Sequence, residues 1–188
     1  TIVGLKIIEI VNSPTLIVVP TLDLVKQWTK ILSQSFNIEI GNIGGGTENI
    51  QAITVSTYDS AYIKAQSIGN KFLLIVFDEV HHLPAPSYRL IAETFVAPYR
   101  LGLTATIERE DHLEEDFPYL IGKSTFRISA NELAKNNYLA NYTIERKQTY
   151  MSKEEYLKYK ENMTIYHTCL KKIGLRMNSY NSFKRLIM

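Results

Sequence analysis

The sequence predicts an α/β fold, with helices on both faces of a parallel sheet and a mostly helical C-terminal extension. Short apolar runs at 15–19, 52–56, 72–77 and 99–103 have the length of buried strands. Segments with helical patterns lie between them, which is the alternation of βαβ units. Polar, turn-prone residues follow each run directly, so the strand exits should share one edge of the sheet, where ligands bind in such folds.

The first elements follow from length and spacing. Residues 2–11, IVGLKIIEIV, fit a buried helix or a strand, because periodicity alone does not decide between them. The run TLIVV at 15–19 ends at Pro20 and predicts a buried strand. Residues 21–35 carry apolar side chains at helical spacing, and Thr21 is the residue type that caps a helix N-terminus.

The middle of the chain contains weaker and stronger signals. Residues 38–43 predict a weak strand, which the glycines at 44–46 break. The run AITVS at 52–56 predicts a strand, and a polar helix is expected from Thr57 to about Gln66.

The strongest strand is expected at 72–77, where the run reads FLLIVF. Pro84 and Pro86 bracket a turn before a helix over about 87–96. Residues 99–106, YRLGLTAT, predict the last strand and its exit loop.

Length and composition limit the class of protein. The 188 residues, 45% of them hydrophobic, with a mean hydropathy of -0.10, predict one globular domain or one domain with an appendage. No apolar run approaches the roughly 18 residues of a membrane span, and no signal peptide is predicted. Cys169 is the single cysteine, which excludes an internal disulfide and fits an intracellular protein.

The periodic pattern changes after about residue 125. From Ser152 onward the composition is helical, with interspersed tyrosines. We therefore predict an α/β domain over 1–130, followed over 131–188 by a linker and a helical, basic extension.

Charge is distributed unevenly along the chain. Residues 1–144 carry 11 basic and 15 acidic side chains, whereas residues 145–188 carry 10 basic and 4 acidic ones. The basic end fits either a polyanion partner or a solvated helix face. Its last basic residues are Lys171, Lys172, Arg176, Lys184 and Arg185.

Asp78 and Glu79 end the strongest apolar run, and two charges at the end of a buried element cost free energy unless they are compensated. Either they are solvated at a loop, or they serve a nucleoside triphosphate site. In that site Asp78 would hold Mg²⁺ and Glu79 would orient or deprotonate a water.

A zinc site at His81 and His82 does not fit the sequence. The only other histidines, His112 and His167, lie far away along the chain, and no H-E-x-x-H motif is present.

The four strand exits, in this order and spacing, resemble the first motor domain of the superfamily 2 helicases and translocases. PTLDLVKQW is similar to motif Ia, TVSTYDSA to motif Ic, DEVHH to a DExH-type motif II, and LGLTAT to motif III. DEVHHLPAPSYR and APYRLGLTATIERED resemble the xeroderma pigmentosum group B (XPB) branch in particular. This resemblance covers roughly residues 1–125. It implies a RecA-like ATP-dependent DNA helicase or translocase with roles in nucleotide excision repair and, in some lineages, promoter opening.

The resemblance also implies residue roles. Asp78 would hold Mg²⁺, Glu79 would act on the attacking water, and His81 would link the nucleotide site to the nucleic-acid side. Thr104 and Thr106 would transmit the nucleotide state between domains. His82 carries no family role, so a packing or hydrogen-bonding role is expected for it.

Further implied residues lie along a nucleic-acid path. Small polar side chains and loop amides grip phosphates without reading bases, and the implied set is Pro20, Thr21, Gly44, Gly45 and Thr57. Arg109, Glu110 and Asp111 stand where the family carries an Arg-Glu-Asp motif tied to strand separation, although a charged loop is the default reading of ERED taken alone.

The sequence departs from the family in one respect, since it contains no Gly-rich loop ending in Gly-Lys-Thr. Its first residues, TIVGLKIIE, are similar to the segment that the family carries directly after that lysine, which would make Thr1 a ligand of ATP and Mg²⁺. We expect the loop upstream and a second RecA-like domain elsewhere in the protein, so that this fragment alone is inactive.

Several alternatives stay open. Residues 152–188 resemble either a thumb-like element that grips DNA through basic residues, Tyr166, Tyr180 and Phe183, or a helix that packs on the second domain. The motor could instead be a helicase–nuclease, an RNA-directed enzyme or a degenerate, non-hydrolysing nucleic-acid-binding domain. Expected partners are DNA at a strand junction, the second motor domain, and a repair nuclease or transcription factor.

Overall fold

The computed structural model describes residues 1–107, 111–140, 143 and 145–172, and the chain forms two compact units, Thr1–Arg127 and Ile128–Met188. The first unit contains a six-stranded sheet. Its strands are β1 Thr15–Val19, β2 Gly41–Gly44, β3 Thr47–Asn49, β4 Ile53–Thr57, β5 Leu74–Asp78 and β6 Tyr99–Leu103.

The helices of the first unit are α1 Ile2–Val11, α2 Leu22–Phe36, α3 Tyr58–Ile68, α4 Arg89–Thr94 and α5 Phe117–Leu120. Two short 3₁₀ turns, Val80–His82 and Leu113–Asp116, complete it. The second unit contains α6 Ala130–Lys135 and α7 Lys153–Lys172.

The strands follow the order β3-β2-β4-β1-β5-β6, and every neighbouring pair is parallel except β2 with β3. A parallel pair needs a crossover connection, and helices lie in each of these connections except that from β2 to β4, which contains β3. The predicted α/β fold with a parallel sheet is therefore confirmed.

Hydrophobic cores cover both faces of the sheet, because successive side chains of a strand point to opposite faces. One core packs α3, α4 and α5 against one face of β1 and β5, and the other packs α1 and α2 against the opposite face. The strand residues of the first core include Leu16, Val18, Ile75 and Phe77, and those of the second include Ile17, Val19, Leu74 and Val76.

The structure resolves the ambiguity at residues 2–11 in favour of a helix, which ends at Val11 and is followed by Asn12 in the left-handed conformation. The weak strand predicted at 38–43 begins later, at Gly41. The glycines that follow it form a hairpin rather than a simple break, because Gly45 (φ 59°) and Gly46 (φ 86°) take left-handed conformations that favour glycine. The antiparallel strand β3 after the hairpin was not predicted.

The second unit contains two helices that begin with the same capping arrangement. Ser129 Oγ accepts from Glu132 N at 3.2 Å, and Glu132 Oε2 accepts from Ser129 N at 2.7 Å. Ser152 and Glu155 repeat this exchange at the start of α7. These bonds stabilise the carboxylates and lower the pKa of both glutamates. The helix expected from Ser152 is thus present, whereas the function of this unit stays a prediction.

No helix in the described part of the chain is both long and apolar enough to cross a membrane.

Arg100 ties β6 to the segment that precedes it and to the end of α5. Its guanidinium donates to the carbonyl oxygens of Phe95 at 2.8 Å, Ala97 at 3.2 Å and Leu120 at 2.7 Å, and burial lowers its pKa. Arg100→Met keeps the aliphatic stem but leaves those three carbonyls without this donor. We expect the free energy of unfolding in urea to fall by about 2–3 kcal/mol. Lys71→Met, at an exposed position, is the control; equal small losses in both variants would contradict the role given to Arg100.

Candidate functional site

Asp78 is the last residue of β5, and its side chain is held in place by two donors. Trp28 Nε1 donates to Asp78 Oδ2 at 2.7 Å, and the backbone nitrogen of Glu79 donates to Oδ1 at 3.2 Å. Each carboxylate oxygen has a further lone pair available for a ligand. The carboxylate is therefore oriented at the edge of the sheet where ligands bind in parallel α/β folds.

Glu79 turns the chain away from the sheet. Its backbone is left-handed, with φ 49° and ψ 53°, a conformation that few residues other than glycine adopt and that is common at functional sites. Its side chain is 42% exposed. The strained turn leaves the Glu79 carboxylate accessible beside the fixed carboxylate of Asp78.

His81 connects Glu79 to the end of β6. Its Nδ1 lies 3.0 Å from Thr104 Oγ1 and 3.4 Å from Glu79 Oε2. The Thr104 hydroxyl already donates to the carbonyl of Thr106 at 2.8 Å and accepts from Thr106 N at 3.1 Å. A hydroxyl has one hydrogen, so the His81 tautomer with a proton on Nδ1 is the one that satisfies all three contacts of Thr104 Oγ1. The predicted residues Glu79, His81, Thr104 and Thr106 thus form one connected group.

An aromatic cluster lies directly beside this group. Tyr58 donates from its hydroxyl to the backbone carbonyl of Asp78 at 3.0 Å. Its ring centroid lies 6.3 Å from that of Phe77, 6.0 Å from His82 and 5.1 Å from Tyr88. Burial, followed by the negative charges of Asp78 and Glu79, raises the pKa of Tyr58 well above its usual value. His82 packs its ring in this cluster, 4.3 Å from that of His81.

Tyr88 occupies the outer side of the cluster. Its hydroxyl donates to Asp59 Oδ1 at 2.7 Å, and burial together with this hydrogen bond raises the pKa of Tyr88 to about 12. Tyr88 thereby holds the first turn of α3, while the Tyr58 hydroxyl holds the end of β5.

A second group of predicted residues lies at the same edge, after β1 and β4. Thr21 caps α2 by accepting from Leu24 N at 3.3 Å, as the sequence predicted. Thr57 caps α3 by accepting from Ser60 N at 3.2 Å. The amide groups at such helix N-termini bind phosphate readily.

The glycine hairpin approaches both helix starts. A Cβ added at Gly44 would lie 3.4 Å from Leu22 Cδ2 and from Thr57 Cγ2, and one added at Gly45 would lie 3.3 Å from Leu22 Cδ2. Leu22 follows Thr21 directly and is 46% exposed. The structure therefore brings Gly44, Gly45 and Thr57 close to the Pro20–Thr21 turn, and these residues form the second group.

Thr1 and Asp111 were also predicted as site residues, and the structure shows fewer contacts between them and the two groups. Thr1 precedes α1 and is exposed, and its side chain makes no capping hydrogen bond. A Cβ at Gly4, one turn later, would lie 2.7 Å from the ring of Trp28, so α1 starts beside the residue that holds Asp78. Asp111 is exposed and accepts from Leu113 N at 3.3 Å.

Other predicted residues lie outside the described part of the chain, namely Arg109, Glu110, Arg176, Tyr180, Phe183, Lys184 and Arg185. Lys171 and Lys172 are described and end α7, where both are exposed.

The residues at the edge of the sheet fit a magnesium ion that arrives with a nucleotide. No group of three or more His, Cys, Asp or Glu side chains suitable for a metal is found among the described residues. Mg²⁺ does not need such a group, because it is usually held by one or two carboxylates, substrate phosphates and waters. Asp78, oriented by two donors, supplies such a carboxylate.

Sequence reasoning missed Trp28 and Tyr58 as parts of the site. Trp28 is the only tryptophan of the chain and is 1% exposed. A buried indole N–H normally needs an acceptor, which was the one available signal. The partner lies 50 positions away, and spacing alone does not identify it.

Comparison with known proteins identifies relatives of the chain. A family model described as type III restriction enzyme, res subunit, matches residues 1–109. The DNA 3'-5' translocase XPB2 of Sulfurisphaera tokodaii is 44% identical over 187 residues, which is 100% of this chain and 42% of the relative.

More distant relatives cover less of the chain. The DNA 3'-5' helicase XPB of Mycobacterium tuberculosis is 32% identical over 74% of this chain and 27% of its own length. The general transcription and DNA repair factor IIH helicase/translocase subunit XPB of Dictyostelium discoideum is 29% identical over 72% of the chain and 19% of its own length. The chain thus spans about two fifths of the first relative and less of the others.

Proposed function

Because the chain belongs to the type III restriction enzyme res-subunit family, and within it to the XPB helicases, we propose that it is the first motor domain of an ATP-driven DNA helicase or translocase. The observation that carries this proposal is that the strand exits form two groups at one edge of the sheet. One group has the carboxylates needed for nucleotide hydrolysis, and the other has helix N-terminal amides and the exposed Thr21, which suit contact with a phosphate backbone.

Asp78, Glu79 and His81 perform the chemistry in this proposal. Mg-ATP, when bound, would supply the phosphoryl group, and its metal ion would neutralise negative charge on the phosphates. Asp78 would hold the metal, and its carboxylate is fixed by Trp28 Nε1 and Glu79 N. Glu79 accepts a proton from the attacking water, and the exposed position of its side chain gives water access. Thr1, at the start of α1, is the proposed ligand from the first helix.

His81 couples this chemistry to the end of β6. Its Nδ1–H lies between Glu79 Oε2 and Thr104 Oγ1, so a change in charge at Glu79 alters the bond to Thr104. Thr104 in turn fixes the turn at Thr106. We assign these two threonines to the transmission of nucleotide state toward a second domain. Strand separation by Arg109, Glu110 and Asp111 stays a proposal from the sequence.

The DNA track consists of the loop and helix starts around Pro20, Thr21, Gly44, Gly45 and Thr57. Two helix N-termini point partial positive charge at this track, and the left-handed Gly45 exposes backbone without a side chain. Contacts of this kind position a backbone and read no bases. The names of several relatives include a general transcription and DNA repair factor, and we propose an intracellular partner of that kind.

The test is ATP hydrolysis by the complete natural protein with DNA or RNA of the same sequence. DNA should stimulate turnover and RNA should not. Stimulation by RNA alone would support an RNA-directed motor. Absence of ATP hydrolysis with either nucleic acid would support a degenerate binding domain and overturn the proposal.

Leu22→Glu tests the DNA track without removing a helix cap. The new carboxylate lies in the first turn of α2, where a negative charge favours the helix, but it faces the proposed phosphate path. We expect the DNA concentration for half-maximal stimulation to rise about tenfold, or ~1.4 kcal/mol, as charges near a surface repel.

Gln34→Glu adds the same charge about 18 Å farther along the same helix, beyond the screening length of about 8–10 Å. Gln34 is exposed, and this control should leave DNA stimulation unchanged. Equal effects of the two substitutions would show that the loss depends on net charge and does not locate the track.

A further inference from the structure

We propose that Trp28 and Tyr58 are positioning residues that transmit DNA contact at the start of α2 and α3 to the Asp78 carboxylate. The inference rests on the proposed function and deepens it, since it names the route by which the DNA track acts on the nucleotide site. Trp28 ends the segment PTLDLVKQW and Tyr58 lies within TVSTYDSA, but the sequence assigned neither residue a role.

Trp28 reaches Asp78 from one face of the sheet. It belongs to the core formed with α1 and α2, and its indole Nε1 donates to Asp78 Oδ2 at 2.7 Å. It lies seven residues after the cap Thr21, about 10 Å along the axis of a single rigid helix. A displacement of the N-terminus of α2 is therefore carried to the metal-binding carboxylate.

Tyr58 reaches the same residue from the opposite face. It belongs to the core formed with α3, α4 and α5, is 1% exposed, and donates to the backbone carbonyl of Asp78 at 3.0 Å. It follows the cap Thr57 directly. A movement of that cap on a phosphate backbone displaces the Tyr58 hydroxyl by a similar amount.

The two bonds fix different parts of Asp78. Trp28 sets the direction of the carboxylate, and Tyr58 sets the height of the backbone from which the side chain projects. Hydrogen bonds weaken steeply when their distance and angle depart from the optimum, so small shifts of either helix change the position of the carboxylate. The contact of Trp28 with Gly4 extends the same connection to α1.

If Trp28 and Tyr58 had purely structural roles, their buried donors would not need to bond Asp78. A backbone carbonyl inside either core would serve an indole N–H or a phenol equally well. Here both donors, from two helices and two cores, converge on one residue at the exit of β5. The geometry therefore favours a role of Trp28 and Tyr58 in coupling the DNA track to the nucleotide site over a role in packing alone.

The experiment uses the complete natural protein and two variants, Trp28→Phe and Tyr58→Phe, which remove one donor each and keep an aromatic ring. The first readout is the ratio of DNA-stimulated to DNA-free ATP turnover, which should fall about fivefold to tenfold in each variant, as expected for the loss of ~1–1.4 kcal/mol of coupling. The affinity for a fluorescently labelled duplex should stay within twofold, because neither side chain contacts the track.

The second readout is independent of turnover. The Mg²⁺ concentration that half-saturates binding of a fluorescent, non-hydrolysable ATP analogue should rise several-fold in Trp28→Phe. In Tyr58→Phe, the rise in affinity for the analogue that DNA produces in the wild-type protein should be lost. A merely structural role moves neither quantity.

Controls separate loss of the donor from loss of packing. Tyr62→Phe removes a hydroxyl from a partly exposed side chain one turn after Tyr58 on α3. Leu32→Ala removes buried volume from the same face of α2 as Trp28. Both should keep the wild-type ratio of DNA-stimulated to DNA-free turnover, whatever their melting temperatures. Tyr58→Phe is nearly isosteric and keeps the test valid even if Trp28→Phe folds poorly.

The outcomes distinguish the two proposals. If wild-type turnover responds to DNA but both variants keep its full response, the positioning role is wrong and the proposed function stands. Equal losses in the variants and the controls also overturn it. If the wild-type protein shows no DNA-stimulated turnover, the proposed function fails and this inference fails with it.

Discussion

Glu79→Gln in the complete natural protein should lower ATP turnover by about a thousandfold, because an amide cannot accept the proton of the attacking water and general-base catalysis contributes about 10²–10⁴-fold. ATP affinity should change by less than about threefold, since the substitution is isosteric and the partly exposed side chain has little packing to lose. The measurements are steady-state turnover with saturating DNA and equilibrium binding of labelled ATP.

Glu93→Gln is the matched control for this result. Glu93 loses its charge in the same way, but its partner is Arg89 at 3.0 Å on α4. A surface ion pair of this kind contributes at most about 1 kcal/mol, so turnover should stay within twofold. If turnover in Glu79→Gln remains within tenfold of wild type, the role of Glu79 as general base is wrong.

The sequence predicted much of the site because a parallel sheet imposes its own geometry. Once β1, β4, β5 and β6 are parallel, their carboxyl ends must lie at one edge, and the residues that follow them must be neighbours. Patterns of five apolar residues followed by polar ones are visible without a structure. The sequence pattern therefore predicts which residues lie at this edge of the sheet, although it does not predict their individual contacts.

Contacts between distant residues had no local signal. The bond from Trp28 to Asp78 depends on how α2 rotates above the sheet, and the apolar positions of the helix fix that rotation only to within a broad stripe. The contact of His81 with Thr104 depends on the register of β5 with β6, in which Asp78 pairs with Leu103. Register follows from the packed core, and a linear pattern does not contain it.

Continuous apolar runs also conceal which side chains face the core. The run at 72–77 predicted one buried strand, yet Leu73 is 48% exposed while Phe77 is fully buried. Leu73 precedes β5, and its backbone bonds Pro14 and Tyr99 while its side chain faces outward. Which residues of an apolar run belong to the strand, and which of them are buried, can be told only when the neighbours of the strand are known.

Phe77→Ala should lower the free energy of unfolding of the chain by about 3–5 kcal/mol, the usual cost of removing a fully buried phenylalanine and leaving a cavity. Phe77 has no exposed surface, and its ring packs 6.3 Å from that of Tyr58 in the core under α3. Stabilities of whole domains are only about 5–15 kcal/mol. The loss is therefore a large part of the total, and it falls directly beside Asp78.

Urea unfolding measures this loss through the emission of Trp28, the single tryptophan, which is buried and should shift to longer wavelength as the chain unfolds. Leu73→Ala is the control from the same apolar run. Because Leu73 is half-exposed, its loss in the free energy of unfolding should be about 0.5–1 kcal/mol. A ratio of at least threefold between the two losses is expected. Similar losses would mean that Phe77 is not packed in the core as described, and the placement of Asp78 at the end of a rigid central strand would lose its physical basis.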